Sequence, residues 1–419
     1  MAEKNFWNHR QIPTNHLPDP HTKTDFKHKK MTASLAYTMP PSVDEHTSNN
    51  GAMEAGPSDD FGITLNSAPL NFENEFAGLE RYRSADLTVG AKLGQGNFCV
   101  VYEATAAPSS TASFLGNNNS VARMAVKRIK NTPSTRFSQV VSVVRDLARE
   151  AGFLQSLEHP NIVKLYGISK DLAQSSKSLR RASGCGSAHP VTNNQGRDYF
   201  IVLEKLDETL EDRIRQWRTQ QANFARIGYR NCQWKAIVRQ RIPVALQIAE
   251  GLEHLHGRKV VFRDLKPANV GFLGNIAKLL DFGLAAMTHE THLGPAGSPR
   301  YMAPEALLSA GQPDHAKEDA TTLLDTSTDV FALGVLLWQI LTLETPYPRY
   351  TPKDLFRRVI QGGQRPPIPV WWPLDLQKLL QSCWSTHPHQ RPSMQKVICA
   401  LREIQQIRRL PTMTHAKSL

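Results

Sequence analysis

The spacing of apolar residues divides the chain into a strand-rich region followed by a helix-rich region. After residue 85, short stretches in which apolar or β-branched residues alternate with polar ones predict strands. The predicted strands are 87–89, 99–104, 124–129, 163–168 and 199–203. Between the third and the fourth of these strands, apolar residues recur every three or four positions and predict a single helix over 140–157.

Beyond residue 206 the apolar residues keep helical spacing almost throughout. The predicted helices are 210–220, 234–255, 327–341, 353–360, 374–384 and 393–408. A small sheet with one helix, followed by a larger helical region, is typical of the α+β fold class. The junction between the two regions falls at 204–207.

Three polar segments stand apart from this pattern. Residues 1–75 are rich in His, Asn, Pro, Thr and Ser and have no sustained apolar periodicity, so they cannot bury enough apolar surface to fold. We therefore expect a disordered N-terminal tail. Inserts near 106–120 and 170–198 interrupt the strand-rich region and are expected to be polar surface insertions.

The composition is that of an ordinary globular chain with a basic excess, since the formal net charge is +12. Many of the basic residues lie between Lys205 and Arg241. Charge runs of this kind are usually solvated surface, so we expect a helical face and a basic loop there. An acidic docking partner or RNA is the alternative, and nucleic acid is the less expected partner.

The cysteines and the apolar segments bear on the location of the protein. The five cysteines are odd in number and widely spaced without a CxxC pair, which predicts free thiols in a reducing compartment. The start of the sequence lacks the apolar core of a secretory signal, and the most apolar stretch, 330–341, is too short to span a bilayer. We therefore predict no membrane span and a cytoplasmic location, with the nucleus as the alternative.

A glycine-rich turn between two predicted strands is the first candidate binding feature. Gly94 and Gly96 would let backbone N–H groups approach a phosphate chain without interference from a Cβ. A dinucleotide-binding turn would need a third glycine and a following helix, whereas Cys99 takes the third position and a strand follows. The sequence therefore favours a phosphate-binding turn within a sheet.

A lysine and a glutamate form the second candidate feature. Lys127 lies on the predicted strand 124–129, where its ammonium group can hold phosphates if a carboxylate fixes it. Glu150 lies on the predicted helix, four residues before Leu154 of its apolar stripe. We expect Glu150 to provide that carboxylate.

The third candidate feature is a cluster of charged and amide residues, Asp264, Lys266, Asn269 and Asp281. Transfer of a γ-phosphoryl group requires positioning and charge neutralisation more than covalent catalysis. Asp264 is suited to orient an acceptor hydroxyl and take its proton, and Lys266 to neutralise the transferring group. Asn269 and Asp281 carry the hard oxygen ligands that Mg²⁺ prefers.

These residues and their neighbours resemble the eukaryotic protein-kinase family. The segment 261–269 is similar to the family's catalytic loop, and 281–283 to its Asp-Phe-Gly motif. Lys266 and Ser298 resemble the residues typical of Ser/Thr kinases, whereas the pattern over 383–393 resembles the tyrosine-kinase-like group. The resemblance implies an ATP-dependent protein serine/threonine kinase, with dual specificity left open.

The resemblance covers residues 86–410 and implies the two-lobed protein kinase fold. The N-lobe would be 86–203, the hinge 204–207 and the C-lobe 208–410, with ATP and Mg²⁺ bound between the lobes. The residues expected to line the nucleotide site are Leu93, Gly94, Gly96, Val101, Ala125, Lys127, Glu204 and Leu206. Asn269 and Asp281 would bind the metal ion.

Two further pairings follow from the resemblance alone. Asp329 is similar to the aspartate that braces the catalytic loop from a helix of the C-lobe. Glu305, which ends the run Tyr-Met-Ala-Pro-Glu, is expected to pair with Arg391.

Three positions depart from the family pattern. Cys99 replaces a glycine of the phosphate-binding turn. Phe262 replaces the histidine of the catalytic loop and is expected to fill a hydrophobic stack. The other expected members of that stack are Phe282, Leu154 and Leu165. Gly271 stands where a leucine usually supports the adenine, which predicts a roomier floor for the nucleotide pocket.

Two questions remain open at this point. Because none of the departures removes a charged catalytic group, catalysis is favoured, and a pseudokinase scaffold that binds partners or nucleotide is the alternative. Arg263 beside Asp264 resembles kinases that are switched by phosphorylation of the activation loop. Thr288 and Thr291 are the candidate sites, and an upstream activating kinase is a candidate partner.

Overall fold

The computed structural model gives the positions of most of the chain between residues 76 and 407. The described residues are 76, 78–96, 98–106, 123–130, 137–181, 198–223, 229–288, 290, 297–308 and 325–407. The predicted tail 1–75 and most of both predicted inserts lie outside the described residues.

A six-stranded sheet forms the N-terminal lobe. Its strands are β1 (Glu80–Tyr82), β2 (Leu87–Gln95), β3 (Cys99–Ala106), β4 (Met124–Ile129), β5 (Leu165–Ser169) and β6 (Phe200–Glu204). They lie in the order β1-β5-β6-β4-β3-β2, and all neighbours are antiparallel except β1 and β5. Each strand predicted from alternation is present. Strand β2 runs six residues further than the predicted 87–89, and the limits of the others shift by two residues at most.

Strand β1 extends the lobe beyond the domain start predicted at residue 86. It pairs in parallel with β5, and Tyr82 is buried. Phe76, just before it, lies in the main hydrophobic core. A strand of three residues is too short to show alternation, which explains why the apolar pattern does not reveal it.

Two helices pack in this lobe, rather than the single helix that the spacing predicts. Helix α1 (Phe137–Ser156) buries the apolar stripe that predicts it, including Leu147 and Leu154. Helix α2 (Lys170–Arg181) occupies the first part of the insert predicted at 170–198. The Ser169 hydroxyl accepts from Leu172 N (3.2 Å), and Leu172 is buried. Because α2 is mostly polar, its sequence resembles a loop.

Helices dominate the C-terminal lobe. They are α3 (Leu210–Asn223), α4 (Tyr229–Ala236), α5 (Ile242–Gly257), α6 (Pro304–Leu308), α7 (Ser327–Thr342), α8 (Pro352–Asp354), α9 (Leu374–Cys383) and α10 (Met394–Gln406). Helix α7 is the centre of the lobe, because every residue from Asp329 to Leu341 is buried. A helix that is apolar on all sides must be surrounded by other elements.

The helix predicted over 234–255 is interrupted. A π-helical segment, Ile237–Arg241, separates α4 from α5 just before Pro243. Proline has no N–H to donate to the preceding turn, and a π-helical turn is one way in which the backbone accommodates this loss. Helix α8 likewise continues as a π-helical segment, Leu355–Gln361.

Short strands fix the loops between the two lobes. They are β7 (Glu208–Thr209), β8 (Val260–Val261), β9 (Val270–Leu273), β10 (Ile276–Leu279) and β11 (Ala286–Met287). They form one sheet in the order β10-β9-β7 and a second of β11 with β8. The predicted catalytic loop therefore runs from β8 to β9, and the Asp-Phe-Gly turn from β10 to β11.

Within the part of the chain that the structure describes, no helix has both the length and the apolar content needed to cross a membrane.

Candidate active site

The loop between β8 and β9 is held by a buried carboxylate on helix α7. Asp329 Oδ2 accepts from Phe262 N (2.8 Å), and Oδ1 accepts from Arg263 N (2.9 Å). His256 Nε2, at the end of α5, lies 3.0 Å from Asp329 Oδ2. Asp329 therefore braces the catalytic loop, as the resemblance implies. The sequence pattern does not indicate that His256 belongs to this site, because a single histidine near a helix end is common.

Asp264 lies at the centre of a dense hydrogen-bond network. Its Oδ2 accepts from Lys266 Nζ (2.6 Å) and Asn269 Nδ2 (2.8 Å), and its Oδ1 accepts from Ser298 Oγ (2.8 Å). Lys266 Nζ also donates to Ser298 Oγ (2.9 Å). The structure thus brings together an aspartate, a lysine and a hydroxyl that lie up to 34 residues apart in sequence.

Lys127 joins the sheet, helix α1 and the Asp-Phe-Gly turn. Its Nζ lies 2.8 Å from Glu150 Oε1, 2.6 Å from Glu150 Oε2 and 2.8 Å from Asp281 Oδ1. Glu150 is buried, whereas the Asp281 side chain is 49% exposed. The pairing predicted for Lys127 and Glu150 is therefore present, and Asp281 faces the open side of the site.

Burial and ion pairing act in opposite directions on these three groups. Burial raises the pKa of Glu150, even though Lys127 opposes the rise. For Lys127, burial lowers the pKa, but the carboxylates of Glu150 and Asp281 outweigh burial and raise it above its usual range. Burial also raises the pKa of Asp281, but Lys127 outweighs it, so that the pKa lies below the usual range. Lys127 therefore stays charged, and Asp281 stays ionised near neutral pH.

Aromatic packing connects the catalytic loop with the Asp-Phe-Gly turn. The rings of Phe262 and Phe282 meet edge to face, with centroids 5.2 Å apart. Leu154 and Leu165 are buried in the same core, as the hydrophobic stack requires. The phenylalanine that replaces the family's histidine thus packs without leaving a polar group in the core.

The glycine-rich turn lies between strands β2 and β3. Gly94 pairs with Val101 across β2 and β3, and a Cβ on Gly94 would meet no atom within 4 Å. Gly96 N donates to Cys99 O (2.9 Å), so the turn is closed by its own backbone. Leu93 is 45% exposed at the rim. Burial raises the pKa of the Cys99 thiol to about 11, which keeps it protonated near neutral pH.

An ion pair holds each end of the predicted hinge, at Glu204 and at Asp207. Glu204 Oε2 lies 3.0 Å from Lys278 Nζ of β10, and Asp207 Oδ1 lies 2.8 Å from Arg123 Nη1. Glu204 N also donates to Lys164 O (2.9 Å). These bonds hold the segment expected to contact adenine.

Leu206 of the hinge and Leu280, just before the Asp-Phe-Gly turn, correct the expectation of more space beside Gly271. The Leu206 Cδ1 methyl group would lie only 2.5 Å from a Cβ on Gly271, and the Leu280 Cδ1 methyl group 3.0 Å from it. Both leucines therefore fill the space that the absent side chain leaves. Ala125, also expected in the pocket, is buried on β4 opposite Leu203.

The predicted ion pair of the C-lobe is also present. Arg391 Nη1 and Nη2 donate to Glu305 Oε1 (2.6 Å) and Oε2 (2.8 Å), and the Arg391 side chain is fully buried. Gly297, which begins this segment, has φ 122° and lies against the Arg263 carbonyl, where a Cβ would be 2.5 Å away. Glycine is required at such a position.

The basic stretch 205–241 is largely engaged in contacts within the protein. Arg213 donates to Glu208 (2.7 Å), and Arg218 and Arg241 donate to backbone carbonyls of the C-lobe. Among the described residues of this stretch, the exposed basic residues are Arg215, Arg218, Lys235 and Arg239. Much of the charge therefore has a structural role in addition to contact with solvent.

Comparison with models of known protein families identifies one matching domain. Residues 87–401 match the family described as protein tyrosine and serine/threonine kinase. The matched segment contains Lys127, Glu150, Asp264, Asn269 and Asp281, which the structure brings together.

Curated proteins similar to the chain are also kinases by name. A probable serine/threonine-protein kinase of Dictyostelium discoideum is 28% identical over 323 residues, which cover 76% of this chain and 28% of that protein. The mitogen-activated protein kinase kinase kinase zak-1 of Caenorhabditis elegans is 31% identical over 258 residues, covering 60% of this chain and 29% of that protein. Serine/threonine-protein kinase STY17 of Arabidopsis thaliana is 33% identical over 170 residues, covering 40% and 28%.

Each of these alignments therefore spans less than a third of the relative's own length. The family model, in contrast, matches well over half of this chain and includes every charged residue of the site. The protein belongs to the protein tyrosine and serine/threonine kinase family.

Proposed function

We propose that the protein transfers the γ-phosphoryl group of ATP to serine or threonine hydroxyls of protein substrates. The observation that carries the proposal is the network in which Asp264, Lys266 and Ser298 contact one another within 2.9 Å. The names of the relatives, which are serine/threonine kinases, support the same choice.

Asp264 is the residue expected to act on the acceptor. Its carboxylate is oriented by Lys266 and Asn269, so that it can orient a substrate hydroxyl and accept its proton as the new O–P bond forms. Lys266 lies beside it and can neutralise charge on the phosphoryl group in transfer. ADP leaves with the electron pair of the broken bond between the γ-phosphorus and the bridging oxygen.

Lys127 is the residue expected to bind the phosphates of ATP. Its ammonium carries a fixed charge, because Glu150 and Asp281 hold it in the protonated form. Gly94 and Gly96 leave room for backbone N–H groups to approach the phosphate chain. The adenine would lie against the hinge at Glu204 and Leu206.

Asn269 and Asp281 fit a Mg²⁺ ion. Asn269 donates through Nδ2 to Asp264, so its Oδ1 is the amide atom suited to a cation. Asp281 is half exposed, and its pKa lies below the usual range, so its carboxylate is ionised. Hard oxygen donors of this kind are those that Mg²⁺ prefers. When bound, Mg²⁺ neutralises phosphate charge and helps to orient ATP.

The alternative of a pseudokinase scaffold has no support in the site. Cys99, Phe262 and Gly271 depart from the family pattern, but none of them takes a charged position. Phe262 and Gly271 are accommodated by packing against neighbouring apolar side chains.

Phosphate transfer from ATP in the presence of Mg²⁺, to the protein itself and to a generic basic protein, tests the proposal. We expect the label on serine or threonine. Lys127→Met and Asp264→Asn should lower the rate by about a hundredfold to a thousandfold, because each removes a charge placed for the transition state.

Glu344→Gln is the matched control, since it neutralises an exposed carboxylate after helix α7. All variants should unfold in one cooperative transition, which would show that the fold is intact. Lys127→Met should melt at a lower temperature than the wild type, because it leaves the buried Glu150 carboxylate without its counter-charge. Wild-type activity in either Lys127→Met or Asp264→Asn would contradict the assigned roles. Nucleotide binding without transfer by the wild-type protein would favour the scaffold alternative.

A role in signalling and a cytoplasmic location, with the nucleus as the alternative, are part of the same proposal. The printed name of the zak-1 relative supports signalling. The wide spacing of the five cysteines, without a CxxC pair, supports a reducing compartment. Imaging of a fluorescent fusion would check the location.

A further inference from the structure

The chain after the Asp-Phe-Gly turn is held against the catalytic loop. Strand β11 pairs with β8, and Thr288 N donates to Lys259 O (2.8 Å). Glu290 follows this pairing. Its N–H donates to Met287 O (3.0 Å), and its Oε1 accepts from Met287 N (3.2 Å). These two bonds fix the direction of the Glu290 carboxylate.

The second carboxylate oxygen of Glu290 binds helix α1. Oε2 forms an ion pair with Arg149 Nη2, and the two side chains are 28% and 30% exposed. Arg149 directly precedes Glu150, which binds Lys127. Its guanidinium also lies 5.6 Å from the centroid of the Phe153 ring, which restricts its orientation. The ion pair therefore links the loop after β11 to the helix that carries Glu150.

Arg263 brings a second positive charge to the same place. It directly precedes Asp264, has φ 71°, and donates its backbone N–H to Asp329. Burial and the charge of Arg149 lower the pKa of Arg263, whereas the charges of Asp329 and Glu290 raise it. Glu290 thus forms an ion pair with Arg149 of helix α1, and its charge also acts on Arg263 of the catalytic loop.

We infer that Glu290 is a positioning residue, a permanent counter-charge that aligns helix α1 with the catalytic loop without phosphorylation of the activation loop. The inference rests on the proposed function and specifies how that same site is regulated. The family resemblance implies that a phosphate on Thr288 or Thr291 would bring a charge of about −1.5 to −2 to Arg263. Glu290 already supplies a negative charge to both arginines, so an upstream activating kinase is not required for basal activity.

The first test measures kinetics on the whole chain after treatment with a nonspecific protein phosphatase. We expect Thr288→Ala/Thr291→Ala to keep kcat within about threefold of the wild type. Glu290→Gln should lower kcat about tenfold, because both arginines lose their counter-charge. KM for ATP should change less than about threefold, because Glu290 does not contact the nucleotide site.

A charge reversal separates positioning from simple packing. Arg149→Glu/Glu290→Arg restores the ion pair with helix α1 with opposite signs but places a positive charge near Arg263, so it should recover only part of the lost kcat, about twofold to threefold above Glu290→Gln. Glu158→Gln, an exposed carboxylate just after helix α1, is the matched control and should behave as the wild type. A charge-reversed protein no better than Glu290→Gln would contradict the ion pair as the cause.

Hydrogen exchange of the amides of helix α1 distinguishes failure of this inference from failure of the proposed function. If neither the wild type nor any variant transfers phosphate, the proposed function fails. In that case, faster exchange in Glu290→Gln that slows again in Arg149→Glu/Glu290→Arg would still support the positioning role. Equal kcat and equal exchange in the wild type and Glu290→Gln would overturn the inference. A dephosphorylated wild type that is inactive until its loop is phosphorylated would overturn it as well.

Discussion

Gly271 shows how one missing side chain is compensated by its neighbours. The family pattern places a leucine at this position, below the adenine. Here the methyl groups of Leu206, from the hinge, and Leu280, before the Asp-Phe-Gly turn, fill the space instead. The space beside Gly271 is thus filled by apolar side chains, although different residues provide them.

This packing predicts a defined effect of adding a single methyl group. Gly271→Ala would place its Cβ 2.5 Å from Leu206 Cδ1, so the side chain of Leu206, which is expected to line the nucleotide site, must move. We expect KM for ATP to rise about threefold to tenfold, since a loss of about 1 kcal/mol in binding is sufficient for such a change. Initial-rate kinetics over a range of ATP concentrations would measure it.

Gly257→Ala is the control, because a Cβ there would meet no atom within 4 Å. Leu206→Ala in the Gly271→Ala background removes the clashing methyl group and should lower KM again. An unchanged KM in Gly271→Ala would show that the floor does not contact the nucleotide.

At the scale of elements, the loop after helix α1 docks on helix α5 through two histidine rings. His159 and His254 have centroids 4.7 Å apart, and Arg258 Nη1 lies 3.1 Å from His254 Nδ1. Among the described residues, His254 Nε2 is buried without a hydrogen-bond partner. Lys278 and Glu250 are the other charged groups that act on this pair, through His159.

This contact predicts that stability depends on pH. Burial, then Arg258 and His159, lower the pKa of His254 from its ordinary 6.5 to about 4. The unfolded chain therefore binds more protons than the folded chain between these values, so stability falls as the pH drops below about 6.5. We expect a loss of about 1 kcal/mol at pH 5, since water screens part of the charge.

Urea unfolding at pH 7.5 and pH 5 would measure this loss. His254→Phe keeps the ring without a titrating group and should flatten the dependence on pH. His389→Gln, at an exposed histidine of the C-lobe, is the control and should leave the dependence unchanged. The same slope in His254→Phe as in the wild type would assign the effect to other groups.

At the scale of the whole molecule, the folded part begins earlier than the family resemblance indicates. Phe76 lies in the main core, and strand β1 pairs with β5 from Glu80 to Tyr82. Gly167 of β5 lies directly against the Glu80 carbonyl, where a Cβ would clash. Phe76 and strand β1 are therefore integral parts of the N-lobe.

Two truncations should differ sharply as a result. Deletion of residues 1–75 should leave the melting temperature and the phosphate-transfer rate unchanged, because it removes none of these contacts. Deletion of residues 1–83 also removes Phe76 and Tyr82, and loss of a buried aromatic side chain costs about 3 to 5 kcal/mol. Thermal unfolding of both proteins would show the difference. Equal melting temperatures of the two truncated proteins would show that β1 does not contribute to stability. If the protein that lacks only residues 1–75 is unfolded, the tail has a structural role.

The sequence by itself determined the local chemistry and most of the elements. Alternation and helical spacing depend on neighbours close in sequence, so strand β4 and helix α7 follow from the apolar pattern alone. The residues of the catalytic loop and the Asp-Phe-Gly turn were found because their order is specific. In the structure, Asn269 contacts Asp264 through its side chain and accepts at its backbone carbonyl from Leu280 N, the residue before Asp281.

The tertiary structure decided what depends on residues distant in sequence. Strand β1 and helix α2 form because they pack on β5 and the core, which their own short or polar sequences do not reveal. The filling of the space at Gly271 depends on Leu206, 65 positions earlier, and the ion pair of Arg149 with Glu290 joins residues 141 positions apart. Such contacts are set by the packing of whole elements, and no local pattern encodes them.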